Sequence, residues 1–179
     1  MPLVPSAFEP PRCASLDGFA LEVLGPCLAA ADFLAVKSSA NDIRHVFGPD
    51  NDWPSAEITF EQNRADLERH AKEFERRDGF AYSMLKSPTE YVGCLYIKPV
   101  KSRIAQDPRK ALFDAQAFFW LSSMSKALSA ATVHAALDGW LSDHWPFRAV
   151  AWPGRTESWE EWERLARAKS HGPDRDGSL

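Results

Sequence analysis

The pair of titratable side chains best spaced for joint chemistry is His134 and Asp138, four residues apart in a segment with helical periodicity. At that spacing both side chains lie on one helix face and can share a hydrogen bond. Such a pair could serve as an acid and a base, because a carboxylate tunes an imidazole near neutral pH. The simpler interpretation is a partly buried histidine whose hydrogen bond the carboxylate satisfies.

The three cysteines offer a second kind of chemistry, as nucleophiles or metal ligands. Cys13, Cys27 and Cys94 are an odd number, and their spacing fits neither a CxxC motif nor a Cys/His metal site. Cys94 lies in an alternating apolar segment, where a thiol behaves as a small core residue. We therefore expect reduced thiols, no metal and a cytoplasmic location.

Composition and charge exclude several classes of protein. The chain has 179 residues, 45% of them hydrophobic, and a formal net charge of -4, which predicts one folded domain with a full core. Its basic residues are scattered among carboxylates, so no stripe is available to bind nucleic acid. Its apolar runs are far shorter than the ~20 residues that a bilayer requires. Its first residues lack the basic and apolar regions of a signal peptide.

Tryptophan is abundant and unevenly distributed. Six of the seven tryptophans lie at position 120 or beyond. Tryptophan usually fills cores and interfaces, so this part of the chain either packs densely or lines a pocket. Trp159, Trp162 and Leu165 form an apolar stripe at helical spacing. We expect the stripe to pack on an open side of the domain or on a second copy of the chain, as in a homodimer.

Hydrophobic periodicity predicts the strands and helices that would position these residues. The clearest helix is opened by Thr59 and Gln62, which form a capping box ahead of an amphipathic stripe. Four prolines indicate an irregular leader at the N-terminus. The predicted strands are residues 18–24, 80–86, 91–98, 115–121 and 147–152. The predicted helices are residues 28–37, 41–46, 60–77, 122–142 and 158–169.

The order of these elements resembles the GNAT superfamily of N-acetyltransferases, and in particular a bacterial GNAT-like group. Three stretches sharpen the likeness: Trp53-Pro54 before the long helix, the hairpin at residues 80–97, and residues 140–147 running to Gly154-Arg155. The resemblance implies an α/β (α+β) fold, with a mixed central sheet flanked by helices. The expected units are a leader at residues 1–17, a GNAT-like domain at 18–155, a C-terminal helix at 156–170 and a disordered tail at 171–179.

The resemblance also implies a place for acetyl-CoA, between the strands at residues 115–121 and 147–152. In the superfamily a Gln/Arg-x-x-Gly-x-Gly/Ala turn follows the first of these strands and holds the pyrophosphate. The equivalent segment here has neither the glycines nor the leading Gln or Arg. A helix N-terminus can still bind an anion through its free N–H groups. The expected cofactor contacts are Trp120, Leu121, Ser122, Ser123, Met124, Ser125 and Lys126.

The implied activity is transfer of an acyl group from acetyl-CoA to a small amine by direct attack. That reaction needs a base for the ammonium and an acid for the departing thiolate. The candidates are His45, Glu57, Tyr82, Tyr96 and Asp114, and the sequence singles out none of them. Two alternatives stay open. One is a degenerate GNAT-shaped binding or dimerisation module, which the missing glycines favour, and the other is a different acyl donor or a nucleotide in the same split.

Overall fold

A computed structural model gives the secondary structure and describes residues 2–88, 90–104, 106–125 and 128–168. Its strands are β1 (Cys13–Leu16), β2 (Phe19–Val23), β3 (Phe80–Ser87), β4 (Glu90–Lys98), β5 (Ala115–Leu121) and β6 (Val150–Ala151). Its helices are α1 (Ala29–Ser39), α2 (Phe60–Arg76), α3 (Arg109–Leu112), α4 (Ala130–His144) and α5 (Trp159–Arg167). No helix in these ranges has both the length and the apolar character needed to cross a membrane.

One six-stranded sheet, in the order β1 to β6, organises the chain. Each strand is antiparallel to the next except for β5 and β6, which run parallel because α4 connects them as a crossover. The parallel pairing is short, joining Ala115 to Val150 and Gln116 to Ala151. Beyond Gln116 the two strands diverge, so the outer edge of β5 faces a cleft instead of a neighbouring strand.

The side chains of β4 and β5 alternate between two covered faces of the sheet. On one face, Leu95 and Phe119 belong to a core that includes Trp140 of α4 and Trp152. The opposite face, under α1 and α2, carries Cys94, Tyr96, Phe118 and Trp120. Layers on both faces explain why β5 is almost entirely apolar, since a strand of this kind is stable only when both faces are covered.

Several predicted elements are confirmed with nearly the expected bounds. The capping box of α2 is present, because Thr59 Oγ1 accepts the N–H of Gln62 at 3.2 Å and the Gln62 side chain accepts the N–H of Thr59 at 2.9 Å. An equivalent box of Ser158 and Glu161 opens α5. The hairpin of β3 and β4 and the bounds of β5 also match the prediction.

The helix predicted at residues 122–142 begins later, at Ala130. Its cap is Ser129, whose side chain accepts the N–H of Thr132 at 3.1 Å. Residues 122–125 form a turn instead. Serine side chains compete with helix formation by bonding nearby backbone groups, which explains the late start.

The short helix predicted at residues 41–46 is also wrong, because that segment consists of turns. His45 adopts a positive φ of 65°, which a helix does not accommodate. Ser39, at the end of α1, donates its hydroxyl to Ser123. So short a helix has little to offset the cost of its nucleation.

Both ends of the sheet differ from the prediction as well. The strand expected at residues 147–152 is limited to the two residues of β6. The leader, expected to be irregular, contains β1, which pairs with β2 from Cys13–Glu22 to Leu16–Phe19. The sequence signal for β1 is weak because its side chains alternate between exposed and half-buried, and Leu16 is its one large apolar residue.

The aromatic stripe of α5 packs on its own chain. The Trp162 ring lies 5.7 Å from Phe113 and shares a small core with Val100. The Arg109 guanidinium covers the same indole at 4.5 Å. Trp159 stacks on Phe118 of β5 at 6.3 Å. The helix therefore closes one side of the sheet beside β5 and β6.

Gly93 of β4 is required by a close approach of two strands. A Cβ at this position would lie 1.9 Å from the Trp120 carbonyl oxygen, whereas a Cβ at Gly139 of α4 would meet no atom within 4 Å. We predict that Gly93→Ala lowers the free energy of unfolding by more than about 3 kcal/mol. Gly139→Ala, the control, should raise it by about 0.5–1 kcal/mol because alanine favours a helix. Urea denaturation of both variants tests this, and equal stabilities would contradict it.

Candidate functional site

The divergence of β5 from β6 opens a cleft of about 380 Å³. One wall is the end of β5, and the other is the segment that follows β6. The first residue of α4 and the turns after α1 complete it. The residues that line it are Asp42, Ile43, Arg44, His45, Val46, Phe119, Trp120, Leu121, Ala130, Pro153, Gly154, Arg155 and Trp159. Its position between the two parallel strands is the one predicted for the acyl donor.

Trp120 and Leu121, two of the seven predicted cofactor contacts, line this cleft. Ser122, Ser123, Met124 and Ser125 form the turn that follows β5, and Lys126 lies outside the described residues. Ser122 is buried, and Met124 is 58% exposed. Neither belongs to the lining of the cleft as the described residues define it. The structure thus brings the end of β5 to the cleft and turns the next four residues away from it.

The backbone N–H groups of this turn already have acceptors. Ser122 N–H donates to the Val92 carbonyl at 2.7 Å and Ser123 N–H to Ser39 Oγ at 2.8 Å. Met124 N–H donates to Ser122 Oγ at 3.2 Å, and Ser125 N–H to the Ser122 carbonyl at 3.1 Å. An anion held at a turn needs free N–H groups. This turn, with α4 starting beyond it, therefore does not fit a pyrophosphate.

Arg155 supplies positive charge inside the cleft. Its Nη2 donates to the Phe119 carbonyl at 2.9 Å, and its guanidinium lies 3.6 Å from the centre of the Phe119 ring. Burial lowers the pKa of Arg155, although a guanidinium stays charged in proteins. Within the described part of the chain it has no carboxylate partner. Together with Arg44 on the opposite rim, it makes the cleft suitable for an anionic ligand.

A second cavity of about 350 Å³ lies on the face of the sheet under α1 and α2. Its floor follows from the register of β4 and β5, which pairs Tyr96 with Phe118 and Lys98 with Gln116. We call it the aromatic pocket. Its aromatic lining is Phe47, Trp53, Tyr96 and Phe118. Its polar and charged lining is Asp32, Asn51, Asn63, Asp66, Arg69, His70, Lys98, Lys101 and Gln116.

A wall of aromatic rings separates the aromatic pocket from the cleft. Trp53 lies 6.1 Å from Trp120, and Phe47 lies 5.4 Å from Phe118. Trp159 stacks on the far side of this wall, on Phe118. The two cavities are therefore adjacent, with two rings in series between them: Trp53 against Trp120, and Phe118 against Trp159.

Asp32 of α1 is the acidic group most deeply buried beside the aromatic pocket, at 2% exposure. Tyr91 donates its hydroxyl to Asp32 Oδ1 at 2.6 Å, and the Asn63 amide donates to Oδ2 at 2.7 Å. Burial raises the pKa of this carboxyl, and the hydrogen bonds oppose the rise. The thiol of Cys94 donates to Oδ1 at 3.4 Å, and burial raises its pKa too, so it is a core group and not a nucleophile.

His70 of α2 lines the aromatic pocket as a neutral imidazole. Burial and the charges of Lys98 and Arg69 lower its pKa to about 4. In the neutral form Nδ1–H donates to Glu73 at 3.1 Å, and Nε2 accepts from Arg69 at 3.2 Å. Sequence patterns alone do not indicate Asp32 or His70. Asp32 lies on a short helix and His70 on an amphipathic one, where polar residues are ordinary.

The other sequence candidates lie in different places. His45 is at the rim of the cleft and Tyr96 in the aromatic pocket. Tyr82 lies on the opposite face of the sheet, where it donates to the Pro11 carbonyl at 2.6 Å. Asp114 forms an ion pair with Arg148 at 2.9 Å, and Glu57 is exposed. The structure therefore removes three of the five candidates from both cavities.

The pair of His134 and Asp138 is used structurally. Asp138 Oδ1 accepts the indole N–H of Trp152 at 2.8 Å. The His134 ring meets Trp152 at 4.8 Å, and its buried Nε2 has no hydrogen-bond partner within the described part of the chain. The carboxylate thus fixes a tryptophan instead of the histidine.

Comparison with known proteins identifies the fold of the chain. No protein-family profile and no curated protein sequence matches the chain. Among solved structures, the Salmonella typhimurium acetyltransferase that modifies the N-terminal serine of ribosomal protein L7/L12 matches with a TM-score of 0.50 and 12% identity, over 70% of this chain and 64% of that one. The microcin C7 self-immunity acetyltransferase MccE, in complex with acetyl-CoA and AMP, matches with a TM-score of 0.52 and 12% identity, over 72% and 63%.

A Bordetella pertussis protein assigned to the GNAT family matches with a TM-score of 0.50 and 16% identity, over 72% of each chain. The chain spans less than two thirds of the length of the Salmonella typhimurium acetyltransferase and of MccE. These likenesses show that it has the GNAT fold, which confirms the fold class expected from the sequence.

The pKa of His70 predicts how stability depends on pH. The folded state holds this imidazole neutral down to about pH 4, whereas an unfolded histidine takes up a proton near 6.5. The unfolded state therefore binds more protons between these values, and stability falls as the pH is lowered through them. We predict that His70→Gln removes up to about 3 kcal/mol of this fall. Urea denaturation from pH 7 to pH 4 tests this. The exposed His144→Gln should keep the wild-type profile, and an unchanged profile in His70→Gln would contradict the prediction.

Proposed function

We propose that the chain is an N-acyltransferase that moves an acyl group from acetyl-CoA, or a related acyl-CoA thioester, to a small-molecule amine. The observation that carries the proposal is the pair of adjacent cavities beside β5, one of them at the parting of β5 from β6. The cleft would take the thioester and the aromatic pocket the amine. MccE, which shares the fold, is in complex with acetyl-CoA, and this supports the choice of acyl donor.

The cleft suits the arm of a thioester donor in two respects. Among the described residues no strand pairs with the outer edge of β5 beyond Gln116, so its peptide groups can bond to the amides of a pantetheine chain. The Phe119 carbonyl already bonds to Arg155 across the cleft, which shows that it points into this space. Arg155 and Arg44 would then hold the phosphates, in place of the turn at residues 122–125.

The proposed reaction is a direct displacement, for which the rings between the two cavities must part so that the amine nitrogen reaches the thioester. The amine nitrogen forms a bond to the thioester carbonyl carbon, the carbon–sulfur bond breaks, and the thiolate takes up a proton. The amine must first lose a proton from its ammonium form. We assign that proton to Asp32, the buried carboxylate of the aromatic pocket, because burial raises its pKa above that of an ordinary aspartate. The hydroxyl of Tyr96, which accepts from Trp120 Nε1 at 3.3 Å, is the candidate donor to the thiolate.

A variant of Ala130 tests the location of the acyl donor. Ala130 is the first residue of α4 and lines the cleft, and its neighbour Ala131 is exposed outside it. Ala130→Phe should fill the cleft and weaken acetyl-CoA binding by at least about tenfold in isothermal titration. Ala131→Phe should bind as the wild type does. Equal affinities of the two variants, or no binding by the wild type at millimolar acetyl-CoA, would contradict the proposal.

A variant of Asp32 tests the proton acceptor. Asp32→Asn keeps the shape and an acceptor for Tyr91 but removes the base, so kcat for acetyl transfer should fall by about 10²-fold. Acetyl-CoA affinity should not change, which also verifies that the variant folds. Asp66→Asn is the matched control, because Asp66 lines the same pocket yet is paired to Arg69. A drop of similar size in both variants, or a kcat and pH profile unchanged in Asp32→Asn, would contradict the assignment.

One observation favours a second function, a GNAT-shaped binding module without acyl transfer. The N–H groups of the turn after β5 are bonded within the protein, and Arg155 spans the cleft. Such a module would hold a different anionic ligand there, or none. Mass spectrometry of small molecules released from the purified protein separates the two functions. Retained CoA supports the transferase, and a retained nucleotide or other anion supports the binding module.

The homodimer expected from the stripe of α5 stays a prediction. The structure gives the stripe a partner in its own chain, in the contact of Trp162 with Phe113. A second copy would therefore need another surface. Light scattering measures the oligomeric state directly.

A further inference from the structure

Lys98 places a cation at one end of the aromatic pocket, and none of the residues that the structure describes forms an ion pair with it. The two-residue period of β4 sets Cys94, Tyr96 and Lys98 on one face, and β5 sets Trp120, Phe118 and Gln116 opposite them. The floor of the pocket therefore changes from aromatic to polar along the strands. Its polar end is formed by Lys98 and Gln116.

The Lys98 ammonium is half-buried against rings. Its Nζ lies 5.6 Å from the centre of the Tyr96 ring and 5.9 Å from that of Phe47. Among the described residues it forms no ion pair, although it faces Glu73. Burial lowers the pKa of Lys98, and the negative charge of Glu73 opposes the change.

The carboxylates around Lys98 are committed to other groups. Arg69 pairs with Asp66 at 3.1 Å and with Glu73 at 2.9 Å. Glu73 also accepts from His70, which is neutral and adds no charge. Asp32 accepts bonds from Tyr91 and Asn63. Among the described residues, Lys98 and the exposed Lys101 at the mouth are thus the two cations of the pocket without an ion-pair partner.

We infer that the aromatic pocket binds an aromatic amino acid, which is an amine that also carries a carboxylate. The carboxylate of this ligand would bond to Lys98. The ring of the ligand would lie among Phe47, Trp53 and Phe118, where aromatic groups pack edge to face. A volume of about 350 Å³ is in the range of small-molecule sites. Acetylation of the amine rests on the proposed function, whereas its binding in the pocket does not.

Binding of matched amines in the absence of an acyl donor tests this. L-Phenylalanine is compared with phenethylamine and L-tryptophan with tryptamine, since each pair differs by the carboxylate. By isothermal titration the amino acid should bind at least about tenfold more tightly in each pair, the usual strength of a charge-assisted hydrogen bond. In Lys98→Met the ratio should fall to about one. Lys72→Met, on the exposed face of α2, is the control and should keep the wild-type ratio.

Three results would overturn the inference. These are equal or weaker binding of the amino acids, no binding of any of the four compounds at millimolar concentration, and a preference that persists in Lys98→Met. Lys98→Arg keeps the charge and should restore the preference, which separates loss of the cation from a folding defect. Failure of acetyl transfer with intact amino-acid binding would contradict the proposed function alone.

Discussion

The arrangement of the protein depends on how little of β5 is paired to β6. Two residue pairs join the strands, and then they part. Parallel strands linked through a helix would normally continue side by side, so the early parting leaves a row of peptide groups without a strand partner. The cleft, the position of Arg155 across it and the approach of Trp159 all follow from that opening.

The same strand connects the cleft to the second cavity. Since successive side chains point to opposite faces, Phe118 and Trp120 enter the core under α1 and α2 while Phe119 enters the core under α4. Phe118 thus lines the aromatic pocket and Trp120 the cleft, with Trp53 and Trp159 completing the rings between the two cavities. A strand buried on both faces can serve two sites only because its free edge gives access to a ligand.

Polar side chains determine where in this fold an anion can bind. At the turn after β5, serines provide through their side chains and carbonyls the acceptors that a phosphate would otherwise supply. Glycines at these positions would leave the N–H groups open to a ligand. The bond from Ser123 to Ser39 also ties this turn to the end of α1. Positive charge appears instead on Arg155 and Arg44, so an anion would be held by side chains and not by backbone.

The amino-acid sequence by itself determined the elements whose signals are local. The capping boxes at Thr59 and Ser158, the hairpin and the apolar β5 depend on contacts within a few residues, or on a hydrophobic run that only a doubly covered strand tolerates. Together with element order they were sufficient for the GNAT fold. Tertiary structure contributed to the start of α4 and to the loss of the helix at residues 41–46, because Ser39 and Ser123 bond to each other across the chain. It also decided the site: Asp32, His70 and Lys98 come from α1, α2 and β4, and their pKa shifts arise from burial and from charges distant in sequence, which no local pattern encodes.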